Sequence, residues 1–385
     1  MTIDTTPNVN STRRHTAISL FSGAGGLDLG IEDAGFNILA SSELDEHCCN
    51  TLRLNYQRGK RETRLYEGDI TTLDPRTIKE EVGLSWSKLD LLVGGPPCQS
   101  FSQIGKQNSI DDKRGVLVFQ MSRFAEELDP KFVLMEQVKG FLTAKGPDGS
   151  KGGVQALLLR EFADLGYQTE IRVLRSVNYG VPQRRERVFV VAYKSGLEFD
   201  YPQPTHEQSE DMFGRSSYVT VGDALANLGK PSKKGSNRTD SHVDVTPERD
   251  RFKISFVKEG EFLFKSNAPD EVKGRLTKRD TTKYLRLDRT RPCNTIRCGE
   301  IFYHPLENRY LTPRECMRLQ TFPDDYLLTG PIRSRSGQVK NLDQHRQVAN
   351  SVPPILAKAL GNAIMSALCL ESQKHTVSAP EGQII

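Results

Sequence analysis

Apolar positions fall into short runs separated by amphipathic stretches, and that alternation sets the fold class. Thr16-Ala17-Ile18-Ser19-Leu20-Phe21 reads as a buried strand. It runs into Ser22-Gly23-Ala24-Gly25-Gly26, then a helical spacing through Leu27, Leu29, Ile31 and Ala34, with Gly35 where a helix ends. Residues 36–40 predict a second strand ending at Ser42-Glu43, and 46–55 a helix. Residues 65–69, 89–93 and 132–136 predict three more strands, the middle one halted by Gly94-Gly95-Pro96-Pro97. Helices are expected at 116–128 and 154–165, and strands near 168–175 and 187–193. Strands and helices alternating at these lengths indicate an α/β, doubly wound sheet.

After Lys194 the pattern changes. Residues 195–290 are polar, rich in Ser, Gly, Pro and charge, and predict a smaller, loop-rich second domain. Order returns at Arg291. Residues 355–368 keep helical period, with Ser351 placed as a cap and Pro353 and Pro354 at the entry. The expected organisation is an unstructured arm (1–15), a first domain (16–194), a second (195–290), a return segment completing both (291–370), and a flexible tail (371–385).

Composition narrows the class. With 31 Gly and 20 Pro in no period, collagen and long coiled coil are excluded. No apolar run approaches the ~18 residues of a membrane helix. The polar start offers no secretory h-region. Seven cysteines, an odd number, predict reduced thiols in a cytosol-like compartment. No CxxC pair exists, so no zinc or other metal site is expected. The net charge is +4, yet residues 251–290 hold eleven Lys/Arg against six Asp/Glu. A basic surplus confined to one stretch suits a nucleic-acid partner.

Four places carry candidate chemistry. Glycines at Gly23, Gly25 and Gly26, between strand and helix, let backbone approach a ligand, although Asp28 takes the third Gly position of a full dinucleotide fingerprint. Glu43 at the next strand end suits a ribose hydroxyl pair, and Asp69 at the third suits an adenine amino group. Cys98 sits in a Pro turn at a buried strand's tip, where a thiolate can act as a nucleophile. Glu136 ends another strand, where partial burial raises a carboxyl so that it can donate a proton. Arg185 and Arg187 share one face of an extended segment and can fork onto oxyanions.

Taken in order, these residues resemble the C5-cytosine DNA methyltransferases. Phe21–Gly26, Glu43 and Asp69 look like that family's cofactor motifs, and Pro97-Cys98-Gln99 like its catalytic motif. Glu136-Gln137-Val138 resembles its Glu-Asn-Val, with Gln137 for Asn, and Gln183, Arg185 and Arg187 match Gln-x-Arg-x-Arg. Arg291–Ile296, Leu311–Gln320 with Phe322-Pro323, and Gln347–Pro353 are similar to the closing motifs, with Ala349 where the family has Gly. The likeness spans 18–365 and omits only 195–290, where that family varies.

The resemblance implies a Rossmann-like, S-adenosylmethionine-dependent catalytic domain with 195–290 as target-recognition domain. Cofactor residues would be Phe21, Gly23, Ala24, Gly25, Gly26, Glu43, Asp69, Ile70, Pro97, Asn350, Ser351 and Val352. Cys98 would add to cytosine C6, Glu136 would bond the N3 edge and exocyclic amine, Arg185 would stabilise charge at O2, and Arg187 would support Glu136 or the arginine pair. The base must leave the stack to be reached. Gln99–Arg114 is expected to close over double-stranded DNA, through Gln99, Ser102, Lys106, Lys113 and Arg114. Lys273, Arg275, Lys278, Arg279 and Lys283 are the expected contacts in the second domain. A bacterial, cytoplasmic modification enzyme is implied, acting as a monomer and paired with a restriction endonuclease. Competing readings are a tRNA cytosine methyltransferase, which the large 195–290 region disfavours, and a non-catalytic DNA-binding relative, which Cys98 and Glu136 disfavour. A nicotinamide oxidoreductase has no use for Pro-Pro-Cys.

Overall fold

The computed structural model describes residues 14–84, 88–97, 117–208, 215–233, 235, 239–277, 280, 284–300, 302–333 and 341–377. The expected arm up to residue 13, the closing segment 98–116 and the tail from 378 lie outside them.

Buried apolar runs form the strands. They are β1 (Thr16–Leu20), β2 (Asn37–Glu43), β3 (Arg64–Glu67), β4 (Leu91–Gly94), β5 (Phe132–Gln137), β6 (Tyr167–Arg175), β7 (Gln183–Arg184) and β8 (Glu186–Lys194). Seven make one sheet, in the order β3-β2-β1-β4-β5-β8-β6. Pairing is parallel from β3 through β5 and antiparallel on both sides of β8. The helices of this half are α1 (Gly26–Asp33), α2 (Glu46–Arg58), α3 (Pro75–Glu81), α4 (Gln120–Leu128) and α5 (Gly153–Asp164).

Side chains alternate across the sheet, so each strand feeds two cores. Ile18, Leu92, Val133 and Val190 pack with Phe124 of α4 and Phe162 of α5. Ala17, Leu91, Leu134 and Val191 pack with Ile31 of α1 and with Leu356, Leu360 and Ile364 of the last helix. Leu197, Phe199 and Tyr201 belong to this second core, so the chain still covers the sheet beyond Lys194. Gly30 permits the α1 contact: a Cβ there would lie 2.3 Å from the Pro354 carbonyl.

Beyond Tyr201 come α6 (Val221–Leu225), α7 (Glu248–Ser255), α8 (Asp270–Lys273), α9 (Pro313–Leu319), α10 (Gln344–Asn350) and α11 (Pro354–Val377), with several two-residue strands. Ile254, Val257, Leu263, Tyr303 and Tyr310 form a small separate core. Two expectations change here. Ser351 does not cap α11, because its hydroxyl donates to the Gln347 carbonyl at 2.8 Å and it closes α10 instead. The first part of the expected tail, to Val377, is helical. The span Gln344–Glu371 is long and apolar enough to cross a membrane, yet Leu356, Leu360, Ile364 and Leu368 are fully buried in the core.

Candidate active site

The sheet order reverses at β1, with β2 on one side and β4 on the other. Ligands of open α/β sheets lie beyond the strand ends at such a point. A cleft of about 670 Å³ opens there, reached by the ends of β1, β2, β4 and β5.

One half is built by the turn after β1. Phe21 lines the cleft at φ 55°, which an aromatic residue adopts only when its neighbours hold it there. The Ser22 amide donates to the Ser42 carbonyl at 3.0 Å, and the Gly25 amide to Ser22 at 2.9 Å. Gly23, at φ 56°, donates its N–H to Glu43 Oε2 at 2.7 Å, and open space lies where its Cβ would be. Glu43 Oε1 accepts from the amides of Leu44 and Asp45 at 2.9 and 2.8 Å. Burial pushes this carboxyl up, and the three donors oppose the shift. Asp69 is exposed in the cleft, with Oδ1 accepting from the Thr71 amide and hydroxyl. Ile70, Asn350, Ser351 and Val352 also line it. Gly26 lets Val352 sit against α1, since a Cβ would meet its carbonyl at 2.4 Å.

Ala24 and Gly25 face elsewhere. Ala24 is buried with Phe322 and Val348, and its carbonyl accepts from Tyr326 Oη at 2.8 Å. The Asp28 carboxyl lies buried beneath the turn, accepting from Ser19 Oγ at 2.6 Å and Ser41 Oγ at 3.2 Å. Burial raises it, and these hydroxyls hold it down.

The other half joins β5 to β8. Glu136 pairs with Phe189 and Gln137 with Val188, which sets Arg187 beside the strand tip. Its Nε lies 2.8 Å from Glu136 Oε1. Burial raises the Glu136 carboxyl, while Arg187 and then Arg185 pull it down. Arg185 is fully buried, and its Nη1 donates to the carbonyls of Ala349 at 2.9 Å and Ile296 at 3.3 Å. Among the described residues its Nε has no hydrogen-bond partner. Burial lowers its pKa to about 9, which leaves it cationic at neutral pH. Gln137 Nε2 donates to the Pro96 carbonyl at 2.6 Å and so holds the turn that precedes Cys98. Ala349 is helical within α10, without positive φ, so its methyl costs no backbone strain.

Several lining residues escape a reading of the sequence. Asn341 and Leu342 wall the cleft because the Leu342 amide donates to Asp45 Oδ2 at 2.7 Å, a contact across 297 positions. No local pattern encodes it. Leu44 carries a signal that could have found it, as a 68% exposed apolar residue beside the strand-end Glu43. Cys98, Gln99, Ser102, Lys106, Lys113, Arg114, Lys278, Arg279 and Lys283 lie outside the described residues. Lys273 closes α8, and Arg275 is exposed; neither lines the cleft. Among the described residues no group of His, Cys, Asp and Glu is placed to hold a metal ion.

A mostly parallel sheet with a glycine turn and strand-end carboxylates, facing the Glu136–Arg187 pair beside a Pro-Pro turn, places the protein among α/β enzymes with a Rossmann-like fold. The chain belongs to the C-5 cytosine-specific DNA methylase family, whose model matches residues 15–366. It is 34% identical over 355 residues to the Type II methyltransferase M1.HphI of Haemophilus parahaemolyticus, covering 91% of this chain and 86% of that one. Against the Type II methyltransferase M.Eco47II of Escherichia coli the identity is 32%, covering 92% and 79%. In fold it is similar to a solved structure assigned as a DNA modification methyltransferase from an Escherichia coli prophage, with TM-score 0.65, 24% identity, and coverage of 92% and 99%. The Spodoptera frugiperda DNMT2 structure shares the fold at TM-score 0.58 and 18% identity, covering 91% and 99%.

Proposed function

We propose that this protein methylates C5 of a flipped-out cytosine in a specific duplex DNA site through a covalent Cys98 adduct. The observation that carries the reading is the convergence of Glu136, Arg187 and Arg185 on one cleft with Pro96-Pro97, immediately before Cys98. C5 of cytosine is a weak nucleophile. Addition of the Cys98 thiolate to C6 would move the ring's electron pair toward C5, and Glu136 would hydrogen-bond the N3 edge and exocyclic amine, which favours uptake of the developing charge by the ring. Arg187 holds the Glu136 carboxyl in place, and Arg185 presents a buried cation to O2. Once C5 has gained the methyl group, a base such as water would take the C5 proton, that C–H electron pair would reform the C5–C6 double bond, and the Cys98 thiolate would leave C6.

The cleft's residues fit the cofactor that the family implies. Gly23 leaves backbone accessible, Glu43 and Asp69 offer acceptors, and Leu44 and Ile70 offer apolar surface. When bound, S-adenosylmethionine supplies the electrophilic methyl group that C5 takes. The family model supports DNA over tRNA as substrate, and Type II relatives support pairing with a restriction endonuclease in the bacterial cytoplasm. A monomer suffices, since one chain supplies every proposed role.

The test is Cys98→Ser, whose hydroxyl is far less acidic than a thiol. Methyl transfer to duplex DNA should vanish while cofactor binding persists. Duplex carrying 5-fluorocytosine should be trapped by the unchanged enzyme as an adduct that survives denaturing electrophoresis. Turnover by the variant would refute the covalent route.

A further inference from the structure

A second, polar cleft of about 380 Å³ lies beside the first. Its walls come from α7, the loop 296–300, Arg333 and α10. Five cations line it: Arg249, Lys253, Arg297, Arg333 and Arg346. The opposing carboxylates are Asp250, Glu300 and Asp343. Two of these carboxylates are already engaged. Asp250 accepts from Tyr310 Oη at 2.6 Å, and Asp343 caps α10 by accepting from the Arg346 amide at 2.9 Å.

Their ion pairs to the cations are loose. Arg249 and Lys253 share Asp250 at 3.7 and 3.8 Å, and Arg346 stands 3.7 Å from Asp343. Among the described residues Arg297 has no ion pair. Arg333 lies over the Tyr310 ring at 4.8 Å, which orients its guanidinium without neutralising it. The fifteen-residue wall also holds Tyr284, 42% exposed, so an aromatic ring sits among the cations. Loosely paired arginines beside an exposed aromatic ring are the surface chemistry of nucleic-acid grooves.

Position links this cleft to the catalytic one. Ile296 lines the polar cleft, and its carbonyl accepts from Arg185 of the first. Cys298 donates to Asn350, which lines the first, at 2.8 Å. A polyanion held here therefore runs past the mouth of the catalytic cleft. Among the described residues of the basic stretch 251–290, Lys253 is the cation that lines this wall.

We propose that this cleft, through Arg297, Arg333, Arg346, Arg249 and Lys253, holds the phosphate backbone of duplex DNA next to the flipped nucleotide. The inference rests on the DNA reading above and adds where the charge contacts fall. Phosphate contacts position a duplex without reading its sequence, so these residues set register while base contacts come from elsewhere.

The test compares unchanged enzyme, single alanine variants of Lys253, Arg297 and Arg333, the triple variant, and Lys273→Ala/Arg275→Ala as comparator. Binding to a 30-base-pair duplex of arbitrary sequence is measured against salt concentration. Each cleft substitution should lower the slope of log affinity against log salt by about 0.9 for each phosphate that the variant no longer neutralises, and the triple variant roughly threefold that. Arg297→Lys should keep the slope, and S-adenosylmethionine affinity should hold throughout, which excludes misfolding. An unchanged slope in a triple variant that still binds cofactor would overturn the assignment while leaving DNA methylation intact. If unchanged enzyme instead methylated tRNA and bound no duplex, both readings would fall.

Discussion

At Glu136 two opposed forces meet. Burial disfavours the carboxylate, and Arg187 at 2.8 Å opposes that without cancelling it. The net direction is upward, so the folded chain keeps this proton to higher pH than the unfolded chain, whose carboxyl titrates near ~4.3. Stability from this group is therefore present at low pH and lost as pH rises past that value toward the raised folded one. Arg187→Leu should widen that loss. Removing one partner of a buried pair costs about 3–5 kcal/mol when the other stays charged. The variant's deficit in thermal stability should be small at about pH 4.5 and largest at about pH 8, because a protonated Glu136 no longer needs the cation. A deficit equal at both pH values would contradict this. Gln137 and Ala349 depart from the family pattern and are both accommodated. The longer amide reaches the Pro96 carbonyl, and the methyl sits in a helix.

Among the elements, contact between α1 and α11 is the tightest constraint. Gly30 faces the Pro354 carbonyl, the Ala357 Cβ and the Lys358 amide, each within 2.6 Å of a built Cβ. Alanine has the better helix propensity by about 1 kcal/mol. Overpacking against backbone that cannot rotate away costs about 1–3 kcal/mol. The second effect should win, so Gly30→Ala should lower the melting temperature, read by calorimetry; a rise would mean that the two helices separate freely. The long elements are legible because buried parallel strands read as continuous apolar runs, as in β4 and β5. Helices α3, α9 and α10, of seven residues each, are too short to establish a period. Ser351 defeats the cap expectation because a hydroxyl between two helices can bond backward as readily as forward. The candidate residues at strand ends are legible as motifs. The chain of buried amides from Ile296 through Gln183 and Gln320 to Ser351 is not, since its partners lie far apart in sequence.

For the whole molecule, the proposed mechanism would serve any cytosine, so on that reading choice among DNA sites comes from another surface. We assign it to the region after Tyr201, because Leu197, Phe199 and Tyr201 pack into the sheet's own core. A graft of residues 202–290 from a relative should transfer that relative's target site, whereas one starting at 195 should also disturb the catalytic half. Bisulfite sequencing of DNA from cells expressing the chimera reads the outcome, and an active chimera that kept the original site would place specificity in the catalytic half. The closure of α1 by α11 also orders events in time. Gly26 and Gly30 are made early, but Val352 and Pro354, which cover them, leave the ribosome some 320 residues later, roughly 15–65 s at bacterial or eukaryotic elongation speeds. Until then Leu27 and Ile31 have no cover from α11, and the cleft lacks the part of its wall formed by Ala349, Asn350, Ser351 and Val352. The first helix therefore stays without its native partner for most of synthesis, and the two helices can close only once the last residues of the chain have emerged.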